Sequence, residues 1–463
     1  MKDHPNILVV MTDDHGQWAS GCYGNREVRT PTLDYLAETG VRMANAFTPT
    51  PVCSPARASF FTGRLPSQHG LHDYLLETEG EARDHEWMEH ETTIAPILSD
   101  AGYQTALVGK WHCGQGERTQ PGFDYWFSLG PRQGGHRGPH TYWHNGQPVD
   151  LTGYKSSITT DHAIDFLRTR DADKPFFMFV GYIATHSPWS DHPERLVKQY
   201  DTATFHDIPS DTTYPFGRLA GEGNLASRNR AREAQAQYYA SVSEVDEQVG
   251  RIVDQLDALG IREDTLVIYV ADHGLNCGHH GLWGKGNATR PLNMLEESIR
   301  IPLIFNGAGL PFPGRVRSEF VDHCDLFLTL LDFAGVSLAP EMVKARCYPG
   351  RSFKTVLQGG ALPDWKTHIF GEYGNLRMVR TRTHKLVCRY PDGPNELFDL
   401  VADPRETINL FDHPEAFSLV QELTAEIETF FTRYEDSEKT GLRVRELPMH
   451  NRVEAWREAQ LTL

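Results

Sequence analysis

The sequence predicts an α/β fold: a large, mostly parallel sheet flanked by helices, followed by a smaller antiparallel sheet with a helix. Short apolar runs rich in β-branched and aromatic residues recur along the chain, as in strands buried on both faces. After about residue 365 the runs become shorter and alternate with turn residues. We therefore expect a large domain over residues 1–365 and a smaller α+β domain over residues 366–463.

Five apolar runs are predicted to be parallel strands of the large sheet, and four of them lead directly into a polar motif. Ligands of such sheets bind beyond the carboxyl ends of the strands. The polar motifs are thus expected to converge on one site. The runs cover residues 7–10, 105–108, 176–180, 266–270 and 302–305.

The helices and the carboxyl-terminal elements follow from similar patterns. Apolar residues recur at three- and four-residue intervals between Val245 and Leu259, and Gly260 follows where a helix would end. Strand-like runs at residues 378–380 and 385–387 precede a closing helix near residues 416–434. The last stretch, residues 440–463, has little periodicity and is expected to form an arm over this subunit or over another one in a homo-oligomer.

Composition limits the class of partner. The 463 residues include 45 Lys and Arg against 62 Asp and Glu, which gives a net charge of −17. Such a surface repels nucleic acid, so we expect no nucleic-acid partner. No apolar run approaches the roughly 18 residues that span a bilayer. The first strand-like run begins almost at Met1 without a signal segment, so we expect a cytoplasmic protein with no membrane contact.

Two acidic motifs follow predicted strands. Asp13-Asp14 comes after the first run and Asp272-His273 after the fourth, so both would lie at the same edge of the sheet. Carboxylate oxygens are the ligands of hard divalent cations. Taken alone, Asp13-Asp14 also suits a turn or a helix cap, but the two pairs together can supply most of a metal shell.

A cysteine motif, Cys53-Ser54-Pro55-Ala56-Arg57, has the spacing Cys-x-Pro-x-Arg. If a helix begins here, Pro55 suits its first turn and Arg57 lies one turn further on. Taken alone, Cys53 also suits a small packed side chain. A Cys-x5-Arg phosphatase loop is excluded, because only three residues separate Cys53 from Arg57.

These motifs together resemble the type I, formylglycine-dependent sulfatases of the alkaline phosphatase superfamily. The resemblance extends over nearly the whole chain, through residues 30–37, residues 109–112 and late segments at residues 396–400, 403–404 and 409–410. It implies an alkaline-phosphatase-like fold, with residues 1–365 as the catalytic domain. It also implies a sulfuric ester hydrolase that acts on a small sulfate ester or a sulfated saccharide.

The resemblance also implies a metal site. Asp13, Asp14, Asp272 and His273 would hold a calcium ion, with the modified Cys53 side chain as a further ligand. Many sulfatases have Asn where this chain has His273, whereas a subset that includes phosphonate-ester enzymes has Asp-His. Since imidazole also suits manganese or zinc, the identity of the metal stays open.

By the same resemblance Cys53 would be oxidised to formylglycine by a formylglycine-generating maturation enzyme. The hydrated aldehyde offers two hydroxyls: one attacks sulfur, and the other expels sulfate by collapsing back to the carbonyl. Arg57 would orient this hydrate.

Four further residues match family positions that handle the transferred group. Lys110 and Lys285 would neutralise the sulfate oxygens, His186 would contact the leaving-group oxygen, and His112 would transfer a proton at the formylglycine hydroxyl. Taken singly, the lysines also suit solvated surface positions and the histidines suit hydrogen-bonded loops.

A glycine-rich, cationic segment at residues 130–138 is predicted to be a substrate-binding loop through Arg132 and Arg137, the alternative being a surface connection.

Three other functions are weighed against sulfate ester hydrolysis. A phosphonate monoester or phosphodiester hydrolase shares nearly all of this machinery, and the sequence does not separate the two. A non-catalytic binder of sulfated ligands would be expected to have lost one of the residues that catalysis requires, such as Cys53, Arg57 or an acidic ligand. A two-zinc phosphatase would need Ser or Thr at position 53. The group that carries the sulfate, whether an aryl ring, a sugar or a small alkyl group such as choline, is not readable from the sequence.

Overall fold

The structure is a computed structural model that describes residues 4–76, 81–130, 134–209, 214, 218–219, 230–310 and 314–457. Its strands are β1 Asn6–Thr12, β2 Val41–Phe47, β3 Gln104–Gly109, β4 Tyr125–Leu129, β5 Arg137–His144, β6 Gln147–Tyr154, β7 Phe176–Gly181, β8 Arg218–Leu219, β9 Thr265–Ala271, β10 Asn276–Cys277, β11 Trp283–Gly284, β12 Thr289–Arg290, β13 Leu303–Gly307, β14 Arg315–Asp322, β15 Ile369–Tyr373, β16 Leu376–Arg380, β17 His384–Arg389 and β18 Glu396–Asp399.

The α-helices are α1 Pro31–Glu38, α2 Cys53–Thr62, α3 Pro66–His69, α4 Glu81–Asp84, α5 Ile94–Asp100, α6 Lys155–Thr169, α7 Glu194–Val197, α8 Ala231–Ala258, α9 Glu296–Ile299, α10 His323–Phe333, α11 Pro340–Arg346, α12 Lys354–Leu357 and α13 Phe417–Tyr434. Short 3-10 helices lie at Gln17–Ala19, Gly21–Tyr23, Lys198–Tyr200, His279–Gly281, Gly286–Ala288, Pro414–Ala416 and Gly441–Arg443. No helix within these described ranges is both long and apolar enough to span a membrane.

A ten-stranded sheet forms the centre of the molecule, in the order β14-β2-β13-β9-β1-β7-β3-β4-β5-β6. The five strands from β9 to β4 in this order are mutually parallel, and they include four of the five predicted runs. The fifth run was predicted to be parallel, and this is wrong: β13 pairs antiparallel with both β9 and β2. An apolar run shows that a strand is buried but carries no information on its direction.

Helices cover both faces of this sheet, as predicted. Along β1 the side chains of Ile7 and Val9 belong to one buried cluster, which includes Phe60 of α2. The alternating residues Leu8 and Val10 belong to a second cluster on the opposite face, which includes Val249 of α8. Every residue of β1 is buried, and residues 7–11 form a continuous apolar run, which is typical of a central parallel strand.

The predicted amphipathic helix is the second half of α8, which begins earlier than expected, at Ala231. Gly260 follows it with φ 68°, a left-handed conformation that glycine adopts without strain. The closing helix is α13, and the predicted short strands are β16 and β17 of a four-stranded antiparallel sheet.

The small sheet packs directly on the large domain, since Phe47 and Val52 share a buried cluster with Ile369 and Tyr373. The domain division at residue 365 stays a prediction. The described part of the carboxyl-terminal arm lies on this subunit, because Trp456 is buried in the same cluster.

Candidate active site

Cys53 is the first residue of α2, a helix whose ten residues are all buried. The helix begins where the Cys-x-Pro-x-Arg motif predicts. Arg57, four residues later, therefore lies on the same side of the helix as Cys53. The amino end of a helix also places partial positive charge beside the cysteine side chain.

The two acidic motifs meet at one edge of the sheet because β1 and β9 are adjacent and parallel. Their register pairs the last residue of β1 with the last residue of β9, so Asp13 and Asp272 follow side by side. The Asp14 amide donates to Asp272 Oδ1 at 3.3 Å. His273 Nε2 lies 3.4 Å from both Asp14 Oδ1 and Asp272 Oδ1. The predicted metal ligands thus form one buried cluster.

Two residues that the sequence analysis missed hold the Asp13-Asp14 turn. Asp14 has φ 61°, a left-handed conformation that a non-glycine residue keeps only when its surroundings fix it. The Thr185 hydroxyl donates to the carbonyl oxygens of Asp13 at 3.1 Å and Asp14 at 2.8 Å. The Tyr238 hydroxyl donates to the Asp14 carbonyl at 3.0 Å. Thr185 adjoins His186 and was within reach of motif analysis, whereas Tyr238 carries no sequence signal.

The predicted cations surround the same cluster. Lys285 Nζ donates to Asp14 Oδ1 at 2.6 Å and to Cys53 Sγ at 3.0 Å. The Lys110 ammonium donates to the Asp13 carboxylate. In a buried site these charges are tolerated only because each has an opposite partner. The structure therefore brings Lys285 into contact with Cys53, and Lys110 onto the Asp13 carboxylate that also contacts Cys53, although the two lysines lie far apart in the chain.

The guanidinium of Arg57 is fully buried between the two acidic motifs. Its Nε donates to Asp272 Oδ2 at 2.9 Å and its Nη1 to the Lys110 carbonyl at 3.0 Å. Its Nη2 lies 3.7 Å from Asp13 Oδ2 and has no hydrogen-bond partner within the described residues. This leaves one buried donor near Asp13 that an additional oxygen would satisfy.

These charges change the acidity of the cysteine. Burial and the charge of Asp13 raise the pKa of the Cys53 thiol, but Lys110, Lys285 and His273 outweigh them and hold that pKa below its usual value. The site thus stabilises negative charge at residue 53. Nucleophiles that carry developing charge need this kind of environment.

The two predicted catalytic histidines differ in position. His186 Nε2 lies 3.9 Å from Asp14 Oδ2, and its side chain is 35% exposed, so it faces the cluster from the solvent side. His112 Nε2 donates to the Leu75 carbonyl at 3.0 Å. That nitrogen is directed at the backbone, so the proton transfer predicted for His112 would use Nδ1.

The glycine-rich segment reaches the site through its last residues. His136 Nε2 donates to the His186 carbonyl at 3.0 Å, and the exposed Arg137 donates from Nε to the Asp191 carbonyl at 3.2 Å. Arg137 also lies over the Tyr154 ring. Arg132 lies outside the described residues. The predicted substrate contacts of Arg132 and Arg137 stay predictions.

The donor set fits a divalent cation. Asp13, Cys53, Asp272 and His273 each bring one ligand atom to within 4.8 Å of the others. Asp14 belongs to an overlapping set with Asp13, Cys53 and His186. Carboxylate oxygens are the ligands that hard divalent cations prefer, and the imidazole of His273 and the sulfur of Cys53 add softer donors.

Two protein-family models match the sequence of this chain. A model described as Sulfatase matches residues 5–336, which is most of the chain. The chain belongs to the sulfatase family. A second model, described as the C-terminal region of N-sulphoglucosamine sulphohydrolase, matches residues 278–433. The resemblance predicted from the motifs is thereby confirmed.

Named relatives agree with this family. An N-acetylglucosamine-6-O-sulfatase of Bacteroides thetaiotaomicron is 28% identical to this sulfatase, over 94% of this chain and 87% of the relative. A solved structure of a protein in complex with its substrate D-glucosamine-2-N,6-O-disulfate aligns with a TM-score of 0.76 at 26% identity, over 94% of this chain and 99% of that one. The chain is therefore an enzyme that hydrolyses sulfate esters.

The fold is also shared with a phosphonate enzyme. The phosphonate monoester hydrolase of Agrobacterium radiobacter aligns with a TM-score of 0.71 at 21% identity, over 93% of this chain and 96% of that one. This likeness confirms the alkaline-phosphatase-like fold. At this level of identity the likeness shows the fold alone, so it does not support phosphonate hydrolysis by this sulfatase.

We predict that Asp14→Asn weakens the binding of Ca²⁺ or Mn²⁺ about tenfold or more, because it removes a ligand charge from the cluster. The affinities are measured by isothermal titration calorimetry with Cys53 unmodified. Asp150→Asn, on the exposed part of β6, is the matched control and should bind like the wild type. Equal affinities for wild type and Asp14→Asn would contradict the assignment.

Proposed function

We propose that this sulfatase cleaves a sulfate monoester with a formylglycine derived from Cys53 as its nucleophile, beside a calcium ion. The observation that carries the proposal is the environment of residue 53. Lys285 Nζ lies 3.0 Å from Sγ, Asp13 Oδ1 lies 3.2 Å from it and His273 Nε2 lies 3.4 Å from it. A cysteine at the centre of such a charged cluster is not a packing residue.

The fit to formylglycine rests on Arg57. Burial lowers the pKa of its guanidinium, but Asp272, Asp13 and Cys53 raise it above its usual value, so the charge is retained. Its unpartnered Nη2 would donate to an oxygen on residue 53, which a thiol does not provide. The hydrated aldehyde supplies a hydroxyl for attack on sulfur and a second hydroxyl for release of sulfate.

The metal ligands would be Asp13, Asp14, Asp272 and His273, together with residue 53. A bound calcium ion would add positive charge where the sulfate oxygens and the nucleophile meet. The imidazole of His273 keeps manganese and zinc as alternatives.

The lysines would bind the transferred group. Lys110 and Lys285 now pair with Asp13 and Asp14, and a sulfate placed between them would give their ammonium groups non-bridging oxygens to bind. Positive charge held in place before the reaction stabilises the charge that builds up in the transition state. We assign both lysines to this role.

The substrate is proposed to be a sulfated saccharide or a small sulfate ester. The solved structure of a similar protein in complex with its disulfated glucosamine substrate supports the saccharide. A formylglycine-generating maturation enzyme would be the one protein partner required. The cytoplasmic location and a homo-oligomer stay predictions.

The proposal is tested by comparing 4-nitrophenyl sulfate with 4-nitrophenyl phenylphosphonate, using enzyme matured together with a formylglycine-generating enzyme. We expect kcat/KM to favour the sulfate by about a hundredfold or more, since a site built for three non-bridging oxygens rejects a substrate that lacks one. Cys53→Ala should abolish both activities. A preference for the phosphonate would contradict the proposal.

His186 is predicted to protonate the leaving oxygen. His186→Ala should then lower kcat about a hundredfold or more for N-acetylglucosamine-6-sulfate, whose alcohol leaves poorly, and by much less for 4-nitrophenyl sulfate, which needs no acid. Steady-state rates on both substrates are compared across the pH range. Equal losses on the two substrates would show that His186 acts in some other way.

A further inference from the structure

A buried histidine outside the motifs that carry the sulfatase resemblance contacts the loop of His186. His136 is 1% exposed, and its Nε2 donates to the His186 carbonyl at 3.0 Å. The His186 amide donates to the Ile183 carbonyl at 3.0 Å. Both polar groups of the His186 backbone are therefore engaged, and the carbonyl is held by a residue 50 positions away in the chain.

The imidazole of His186 has few constraints of its own. Its Nδ1 donates to the carbonyl of its neighbour Ser187 at 2.7 Å. Its Nε2 lies 3.9 Å from Asp14 Oδ2, which is beyond hydrogen-bonding distance. Among the described residues, the hydrogen bonds of this ring go only to Ser187. The direction of the ring therefore depends on the position of the backbone that carries it.

This loop is fixed to the metal-ligand cluster on one side and to His136 on the other. The Thr185 amide donates to the Asp13 carbonyl at 2.8 Å, and the Thr185 hydroxyl donates to the Asp14 carbonyl. These bonds hold the residue before His186, whereas the bond from His136 holds the peptide group that follows it. Without that bond this peptide group would be free to turn, and the Ser187 carbonyl that orients the ring would move with it.

His136 is itself held by several elements of the fold. Its carbonyl accepts from the amide of Lys155, the first residue of α6, at 3.0 Å. Its ring lies 4.5 Å from the ring of His192, centre to centre. His192 Nδ1 lies 2.5 Å from the Tyr154 hydroxyl, and the His192 amide donates to Gln237 Oε1 of α8 at 3.2 Å. The loop is thereby connected to β6, α6 and α8.

The charge state of His136 suits a positioning role. Burial and the charge of Lys155 lower the pKa of His136 to about 4. The imidazole is therefore neutral at neutral pH and carries one N–H, which the bond to the carbonyl places on Nε2. Positive charge beside His186 would make its imidazole harder to protonate. A neutral donor holds the loop without weakening the acid.

We infer that His136 is a positioning residue for the acid of this sulfatase, because it holds the backbone of His186 so that the imidazole faces the leaving-group oxygen. The inference rests on the proposed function, which assigns this proton transfer to His186. A misplaced acid affects only the step in which the leaving oxygen needs a proton. Loss of the His136 donor should therefore slow substrates with poor leaving groups and leave reactive substrates largely unchanged.

The test compares matured enzymes on phenyl sulfate and on 4-nitrophenyl sulfate, whose phenol leaves more readily. His136→Phe keeps an aromatic ring but removes the N–H donor. It should lower kcat about tenfold or more on phenyl sulfate and less than about threefold on 4-nitrophenyl sulfate, with both KM values within about twofold of wild type.

Two further variants separate loss of the donor from a folding defect. His136→Gln has a side-chain amide that donates to the same carbonyl, so it should recover most of the rate on phenyl sulfate. His140→Phe is the matched control, since it makes the same replacement at a buried histidine of β5 whose ring packs on Tyr142. It should act like the wild type on both sulfates.

A double variant shows whether His136 acts through His186. His136→Phe added to His186→Ala should cause no further loss on phenyl sulfate, because the two residues serve one step. Hydrogen exchange of residues 183–192, followed by mass spectrometry, should be faster in His136→Phe than in the wild type. This readout needs neither maturation nor turnover.

Three results would overturn the inference: no loss or equal losses on the two sulfates in His136→Phe, a further loss in the double variant, or unchanged exchange in residues 183–192. Failure of the proposed function would instead appear in the parent enzymes. Matured wild type would then cleave neither sulfate, or His186→Ala would lose equally on both.

Discussion

The site depends on a balance of buried charge. Asp13, Asp14 and Asp272 are almost fully removed from solvent, and their charge is offset by Lys110, Lys285 and Arg57. Charges buried in this way destabilise a fold by several kcal/mol if one partner is removed. The balance is possible only because β1 and β9 lie side by side in one register. A slip of one residue would turn each carboxylate to the other face of the sheet.

The strands that support this balance could be predicted because they are buried on both faces. Their sequences are continuous apolar runs, and the helices between them show a regular apolar spacing. The direction of β13 could not be predicted, since burial of a strand does not depend on which way it runs. Nor could the first half of α8, where polar and apolar residues mix, or the hairpin of β5 and β6 at the sheet edge, where many side chains are exposed.

The candidate site was predictable where chemistry demands particular residue types at strand and helix ends. The predicted metal ligands and both lysines come together where the motifs place them. Of the residues that hold this cluster, Thr185 adjoins His186 and was within reach of motif analysis. Tyr238 was not predictable, because it acts through a contact between segments far apart in the chain, and such contacts leave no local pattern.

The central claim is that residue 53 is formylglycine in the active enzyme. Peptide mass spectrometry of the segment around Cys53, after co-expression with a formylglycine-generating enzyme, tests it most directly. The account predicts that the peptide carries an aldehyde, or its hydrate, which a hydrazide reagent labels. A peptide that retains the free thiol under these conditions, in enzyme that still hydrolyses aryl sulfate, would contradict the account.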